Sequence, residues 1–151
     1  MPRLSAGCHI LVLIDGTESS FHAADCAIDL ARAVGARLTA LAVVDRDTLH
    51  QLLSVKILVD TEMDEFEKEL KDSAHRHLKR VSERALDRRL AVEEILLSGN
   101  IEEIIPKVVK DSEVDLIAVG GFDSSRATRD LLVRQRQQIV DGATCPVLVV
   151  K

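Results

Sequence analysis

The chain has 151 residues and a formal net charge of −5, and 46% of its residues are apolar although only 2% are aromatic. A chain of this length and hydrophobicity is expected to form one domain with a sizeable core, which argues against intrinsic disorder. The three phenylalanines are scattered, so nucleobases have no aromatic platform on which to stack. The acidic balance also argues against a nucleic acid or an anionic membrane as a partner.

Nothing in the sequence indicates export or a membrane span. No apolar run approaches the ~20 residues that cross a bilayer, and the short run over 9–14 ends at Asp15 without a cleavage site. We therefore expect a cytoplasmic protein. The cysteines Cys8, Cys26 and Cys145 are odd in number and widely spaced, which fits neither a disulfide framework nor a zinc site. We expect each to be a small buried hydrophobe.

Apolar runs alternate with helical patterns along the chain, which is typical of a parallel α/β sheet. A first strand over 10–14 is apolar throughout, as a strand covered by helices on both faces must be. After the turn over 15–20, apolar residues recur at i+3 or i+4 up to Val34 and predict a helix with Gly35 at its C-cap. Residues 37–44 form the second predicted strand.

The same alternation continues after a segment over 45–58 that has no clean period, which we interpret as a partly helical excursion. The later predicted elements are a helix over 60–89, a strand over 91–97, a helix after Asn100, a strand over 114–120, a helix over 127–141 and a strand over 147–150. Asn100 and Glu103 resemble a capping box. Pro106 is expected to kink or weaken the helix that contains it.

This order of elements predicts one domain over residues 1–151, a three-layer α/β sandwich with five parallel strands and helices on both faces. The periodicity does not fix the strand order. If the first and fourth strands are neighbours, a ligand binds between their carboxyl ends. Those ends carry Asp15, Gly16 and Thr17 on one strand, and Gly120 and Gly121 on the other.

Two interpretations are open for the residues at these strand ends. Asp15 would accept hydrogen bonds from a ligand, or about as readily from backbone N–H groups of its own turn. Gly120-Gly121 would let backbone N–H groups cradle an anion, but two glycines are also an ordinary exit from a buried strand. Asp123 opposes an anion in the same loop. The donors that would assist the glycines are Ser124, Ser125, Arg126, Thr128 and Arg129.

The sequence carries no recognisable catalytic or metal-binding motif. It has no nucleophile elbow, no zinc-protease helix and no P-loop. None of the five histidines has a partner at metal-ligand spacing, and His77 lies on the apolar stripe of the long helix, where packing is expected rather than ligation. We therefore expect a protein that is not an enzyme and has neither a metal nor a required cofactor.

Segments in chain order resemble the universal stress protein family over nearly the whole sequence. The first segment, residues 10–20, has an opening strand with an Asp-Gly-Thr-Glu-Ser-Ser turn. The second, residues 99–120, has a Gly-Asn-Ile helix start and ends in the strand Val-Asp-Leu-Ile-Ala-Val-Gly. The third, residues 145–150, is Cys-Pro-Val-Leu-Val-Val. The resemblance implies the strand order 3-2-1-4-5. It also implies a homodimer, often paired through the last strands, here Val147, Leu148, Val149 and Val150. Pairing would remove the liability of an exposed apolar edge.

Members of the family that bind ATP carry a two-part motif after the fourth strand. It consists of Gly-x-x-Gly and, after nine intervening residues, Gly-Ser or Gly-Thr. Here Gly120 is kept, but Asp123 and Val133-Arg134 stand at the other positions. Asp15 and the backbone near Val43 stand where the family holds adenine. The resemblance therefore implies a non-enzymatic stress-response dimer that acts on an unknown protein partner and binds ATP weakly or not at all.

The alternative is a member that binds ATP and hydrolyses it slowly through a non-standard loop over 120–129. In that case Arg134 would replace the missing phosphate donors. A nucleotidyl-transferring enzyme on the same fold would need a His-x-Gly-His type of motif, which the sequence lacks.

Overall fold

The computed structural model of the chain describes residues 4–45, 60–121 and 129–151. The predicted excursion after Asp45 and the predicted polar loop over 122–128 lie outside these ranges, and so do Ser124, Ser125 and Arg126.

In the described ranges five strands alternate with four helices. The strands are β1 (His9–Leu13), β2 (Arg37–Val44), β3 (Val92–Ser98), β4 (Leu116–Gly120) and β5 (Val147–Val150), and the helices are α1 (Glu18–Val34), α2 (Asp60–Asp87), α3 (Ile101–Asp111) and α4 (Arg129–Gly142). Each predicted strand is present, and the strand bounds differ from the predicted ones by no more than one or two residues.

The sheet is parallel throughout and has the order β3-β2-β1-β4-β5, which confirms the order that the resemblance implied. Strand β1 is central and pairs with β2 on one side and β4 on the other. Its first backbone N–H, on His9, donates to Asp115 Oδ2 at 2.8 Å, just before β4 begins. Residues that are far apart in the chain therefore meet at β1.

Alternating side chains of β1 enter two separate cores. Ile10 and Val12 pack with α1 and α2 on one face, whereas Leu11 packs with α3 and α4 on the other. All three are fully buried. This is why the first strand is apolar throughout, and it confirms the predicted layers of helices on both faces.

Short-range signals mark the ends of α1 and α3, although α1 begins at Glu18, inside the segment over 15–20 that was predicted to be a turn. The hydroxyl of Thr17 accepts from the N–H of Ser20 at the start of α1, and Gly35 ends that helix with a left-handed φ of 72°. The Asn100 side chain caps α3, but it accepts from Glu102 N–H at 2.8 Å rather than from the predicted Glu103. Helix α3 runs through Pro106 to Asp111.

The expectation that each cysteine is buried is correct for Cys8 and wrong for Cys26, while Cys145 is half-buried. Cys26 lies on the outer side of α1, because Ala23, Ala24 and Ala27 form the side that faces the sheet. Burial raises the pKa of the Cys145 thiol.

In the ranges described, no helix combines the length and apolarity that a membrane crossing requires.

Candidate functional site

A cavity of about 80 Å³ lies at the carboxyl ends of β1, β2 and β4. It is lined by Leu13, Ile14, Asp15, Leu41, Val43, Asp45, Ile101, Val119, Gly120, Gln135, Arg136 and Ile139. We call this cavity the crevice. Its position is the point between β1 and β4 where the strand order reverses, which is where ligands bind in open α/β sheets.

The two oxygens of Asp15 have different surroundings. Oδ1 accepts from the backbone N–H of Thr17 at 3.0 Å and from its hydroxyl at 2.5 Å, as expected for a residue that satisfies its own turn. Oδ2 lies 3.7 Å from Nη2 of Arg136. One oxygen therefore holds the turn, and the other faces a cation in the crevice.

Gly16 and Thr17 follow Asp15 and shape that turn. Gly16 has a φ of +82°, and a Cβ built on it would lie 2.5 Å from Nε2 of His77 on α2. The His77 ring meets Phe21 edge-to-face with the ring centres 5.8 Å apart. Burial lowers the pKa of His77, the charges of Arg76 and Arg80 lower it further, and the charge of Asp15 opposes them. His77 thus packs under the turn, as the sequence predicted.

Gly120, the last residue of β4, and the following Gly121 both make close backbone contacts. A Cβ on Gly120 would lie 2.6 Å from the carbonyl carbon of Ser19, so only glycine lets the start of α1 approach β4 this closely. The N–H of Gly121 donates to Val150 O at 2.6 Å, and its carbonyl accepts from the Ser19 hydroxyl at 3.2 Å. The Gly121 N–H that an anion would use is therefore bonded to the chain itself.

Arg136 on α4 is the residue that sequence reasoning missed. Its side chain is 13% exposed, and Nη2 donates to the Ser19 hydroxyl at 3.2 Å besides facing Asp15. Nη1 is buried and has no hydrogen-bond partner among the described residues. The predicted Arg134 lies two positions earlier, is exposed, and does not line the crevice. The spacing of Arg136 and the buried Ile139, three residues apart on one helical face, was the available signal.

Asp45 adds a second carboxylate to the crevice. Its Oδ2 accepts from the N–H of Ile101 at 3.2 Å, at the beginning of α3. The positive end of that helix is therefore already matched by a carboxylate of the chain. Val43 lines the same wall of the crevice, between Leu41 and Asp45.

The remaining features to compare with the sequence are metal-binding groups and the last strand, β5. No group of three or more His, Cys, Asp or Glu residues in the described ranges is arranged to hold a metal ion. Strand β5 lies at the sheet edge and pairs with β4. Its Val149 side chain is 48% exposed, whereas Val147, Leu148 and Val150 are half-buried.

Comparison with known proteins agrees with this architecture. The profile of the Universal stress protein family matches residues 8–151. The chain is 30% identical to "Universal stress protein YxiE" of Bacillus subtilis over 145 residues, which cover 94% of this chain and 97% of that protein.

Two solved structures show the same fold at lower identity. Universal stress protein UspA from Lactobacillus plantarum superimposes with a TM-score of 0.74 at 21% identity, covering 97% of this chain and 99% of the other. The universal stress protein from Archaeoglobus fulgidus in complex with dAMP superimposes with a TM-score of 0.64 at 14% identity, over the whole of both chains.

Proposed function

Because the chain belongs to the universal stress protein family, we propose that it is a non-enzymatic, dimeric regulatory module of the cytoplasm that acts on a protein partner. In this proposal the crevice binds ATP weakly or not at all. The observation that supports it is the position of Arg136, whose guanidinium lies beside Asp15 and Ser19 at the polar end of the crevice. A triphosphate would have to displace these contacts to enter.

The charges around the crevice also disfavour a triphosphate. Asp15 and Asp45 both line it, and Arg136 is the one cationic side chain among its lining residues in the described ranges. Carboxylates near a polyphosphate repel it. The N–H of Gly121, which a phosphate loop would use, is bonded to Val150.

The dimer would form along β5. This strand is an apolar edge, and Val149 is among the exposed large hydrophobic side chains of the described residues. An unpaired apolar edge strand exposes a row of backbone donors and acceptors that invites pairing with a second chain. A second copy that pairs along Val147–Val150 would cover both the edge and Val149.

A second candidate function is binding of a nucleoside monophosphate. It is favoured by Nη1 of Arg136, which lacks a hydrogen-bond partner among the described residues, since one phosphate needs fewer cations than three. The Archaeoglobus fulgidus relative is a complex with dAMP. In this candidate Val43 and Ile101 would contact the base and Arg136 would bind the phosphate.

Isothermal titration calorimetry distinguishes the two candidates. Under the first, ATP with Mg²⁺ binds more weakly than micromolar or not at all, and AMP gives no saturable heat. Under the second, AMP binds, Arg136→Gln abolishes that binding, and the exposed Arg134→Gln on the same helix leaves it unchanged. Micromolar binding of ATP, or ATP retained by the purified protein, would contradict both and favour the alternative of an ATP-binding member.

A further inference from the structure

A second cavity, of about 390 Å³ and with a polar lining, lies between α1 and α2. It is separate from the crevice: Gly16 lines it, whereas the preceding residue, Asp15, lines the crevice. The Asp15–Gly16 turn therefore forms a wall between the two. The side chains that matter in this second cavity come from Phe21 and Asp25 on α1 and from Arg80 and Arg84 on α2.

Two guanidinium groups flank a single aromatic ring in this cavity. The Cζ atoms of Arg80 and Arg84 lie 4.5 and 5.3 Å from the centre of the Phe21 ring. Contact with the ring face is favourable for a guanidinium and leaves the N–H groups at its edge able to donate. Phe21 is 6% exposed, so the ring is a fixed support for both cations.

The cations of the cavity are not evenly neutralised. Arg84 Nη1 lies 3.0 Å from Asp25 Oδ2, and Arg88 contacts both Asp25 and Asp29. Arg80 makes no salt bridge to any carboxylate in the described ranges, although it lies one helical turn from Arg84. Like charges at i and i+4 repel each other, so a bound anion between them would remove a repulsion as well as form new hydrogen bonds.

Two acidic side chains line the cavity: Asp25, which is paired with Arg84 and Arg88, and Glu18 at the rim. Glu18 lines the cavity, but its side chain is 90% exposed and lies 4.0 Å from Nε2 of His22. An exposed carboxylate is screened by water and salt and repels only weakly. Arg80 is also exposed, and it is the one guanidinium of the cavity without a salt bridge to a carboxylate in the described ranges.

We propose that the cavity between α1 and α2 is an oxyanion-binding site in which Arg80 and Arg84, supported by Phe21, bind a phosphate or carboxylate group. The planar fork of a guanidinium matches the paired oxygens of both groups. Arg80 supplies the uncompensated charge, and Arg84 adds N–H donors while Asp25 holds it in place. This site needs no nucleotide in the crevice and no contact with Arg136.

The test is an NMR titration that follows the Nε–Hε signals of Arg80 and Arg84 while inorganic phosphate or acetate is added at constant ionic strength. We expect saturable shifts of both signals, and the comparison of the two probes tells whether the site takes phosphate or carboxylate. Arg80→Gln should weaken binding by at least about tenfold. Glu18→Gln should strengthen it, because a repelling carboxylate is removed.

The matched control is Lys79→Gln. Lys79 is exposed on the same helix and does not line the cavity, so this variant loses the same charge and should retain the wild-type affinity. Arg136→Gln should also bind phosphate normally here, which separates this site from the crevice. Absence of saturable shifts, or equal weakening in the Lys79 and Arg80 variants, would overturn the proposal.

Discussion

Nη2 of Arg136 lies 3.7 Å from Asp15 Oδ2 and 3.2 Å from the Ser19 hydroxyl, so one guanidinium on α4 joins the end of β1 to the start of α1. The Asp15 side chain is 38% exposed, and solvent screens such a pair. We therefore expect Asp15→Asn to lower the free energy of unfolding by less than about 1 kcal/mol. Urea denaturation at low and high salt measures this, and the difference should shrink at high salt. A difference that is large and independent of salt would show that the pair is not the cause.

Gly120 is expected to be the glycine least tolerant of a methyl group. Its Cβ would lie 2.6 Å from the backbone carbon of Ser19, a contact that forces the backbone to move. Gly120→Ala should therefore destabilise the protein by about 1–3 kcal/mol. Gly142→Ala is the control, since a Cβ there meets nothing within 4 Å. Equal urea midpoints for the two variants would contradict the close packing of α1 on β4.

Two different costs are expected for a methyl group at Gly16. The left-handed φ of +82° strains any residue with a Cβ, and the same Cβ would strike the His77 ring. Gly7 has a φ of +85° but an open environment, so Gly7→Ala should show the conformational cost alone, about 1–2 kcal/mol. Gly16→Ala should cost more than Gly7→Ala in the same denaturation experiment. In a His77→Ala background, the excess should disappear.

The lowered pKa of His77 makes the free energy of unfolding fall at acidic pH. Burial disfavours the protonated ring in the folded protein. As the pH falls below 6.5, the ordinary pKa of a histidine, the unfolded chain therefore takes up the proton first. The contribution of the neutral ring is therefore fully present above that pH and is lost as the pH falls through the lower folded pKa.

The measurement is the free energy of unfolding against pH for wild type, His77→Gln and His75→Gln. His75 is exposed on the same helix, so its variant should keep the acidic loss of stability. The His77 variant should lose less stability on acidification than wild type. If the two variants show the same profile, the acidic loss does not arise at His77.

The proposed dimer can be tested by a substitution on β5. Val149→Lys places a charge on the exposed apolar edge and should convert the dimer to a monomer, measured by light scattering after size exclusion. Val140→Lys is the matched control, because Val140 is also an exposed valine but lies on α4. A wild-type protein that is monomeric at micromolar concentration, or a Val149 variant that remains dimeric, would argue against pairing through β5.

The elements of the fold were predictable because their signals are local. The apolar runs marked the strands, and Gly35 and Asn100 marked helix ends through contacts within a few residues. The strand order was not available from periodicity, because adjacent strands in the sheet are not adjacent in the chain. It came from the resemblance to a family, and the structure confirms it.

The candidate site was predictable only in part. Asp15 and Gly120 were placed correctly at the crevice because they follow strands whose ends meet there. Arg136 was not predicted because the family's motif falls on Arg134, whereas Arg136 reaches the crevice from the helical face that it shares with Ile139. The role of Gly120 depends on Ser19, a contact between remote parts of the chain that no local pattern reports.

The central position of β1 also bears on how the chain is made. Of the five strands, β1 leaves the ribosome before the others, yet its partner β4 follows only much later, since His9 bonds to Asp115 across 106 positions. Until then β1 has one open apolar edge, with only β2 available as a neighbour. The nascent chain must therefore shield that edge, and we expect truncations that end before β4 to need chaperones and to aggregate without them.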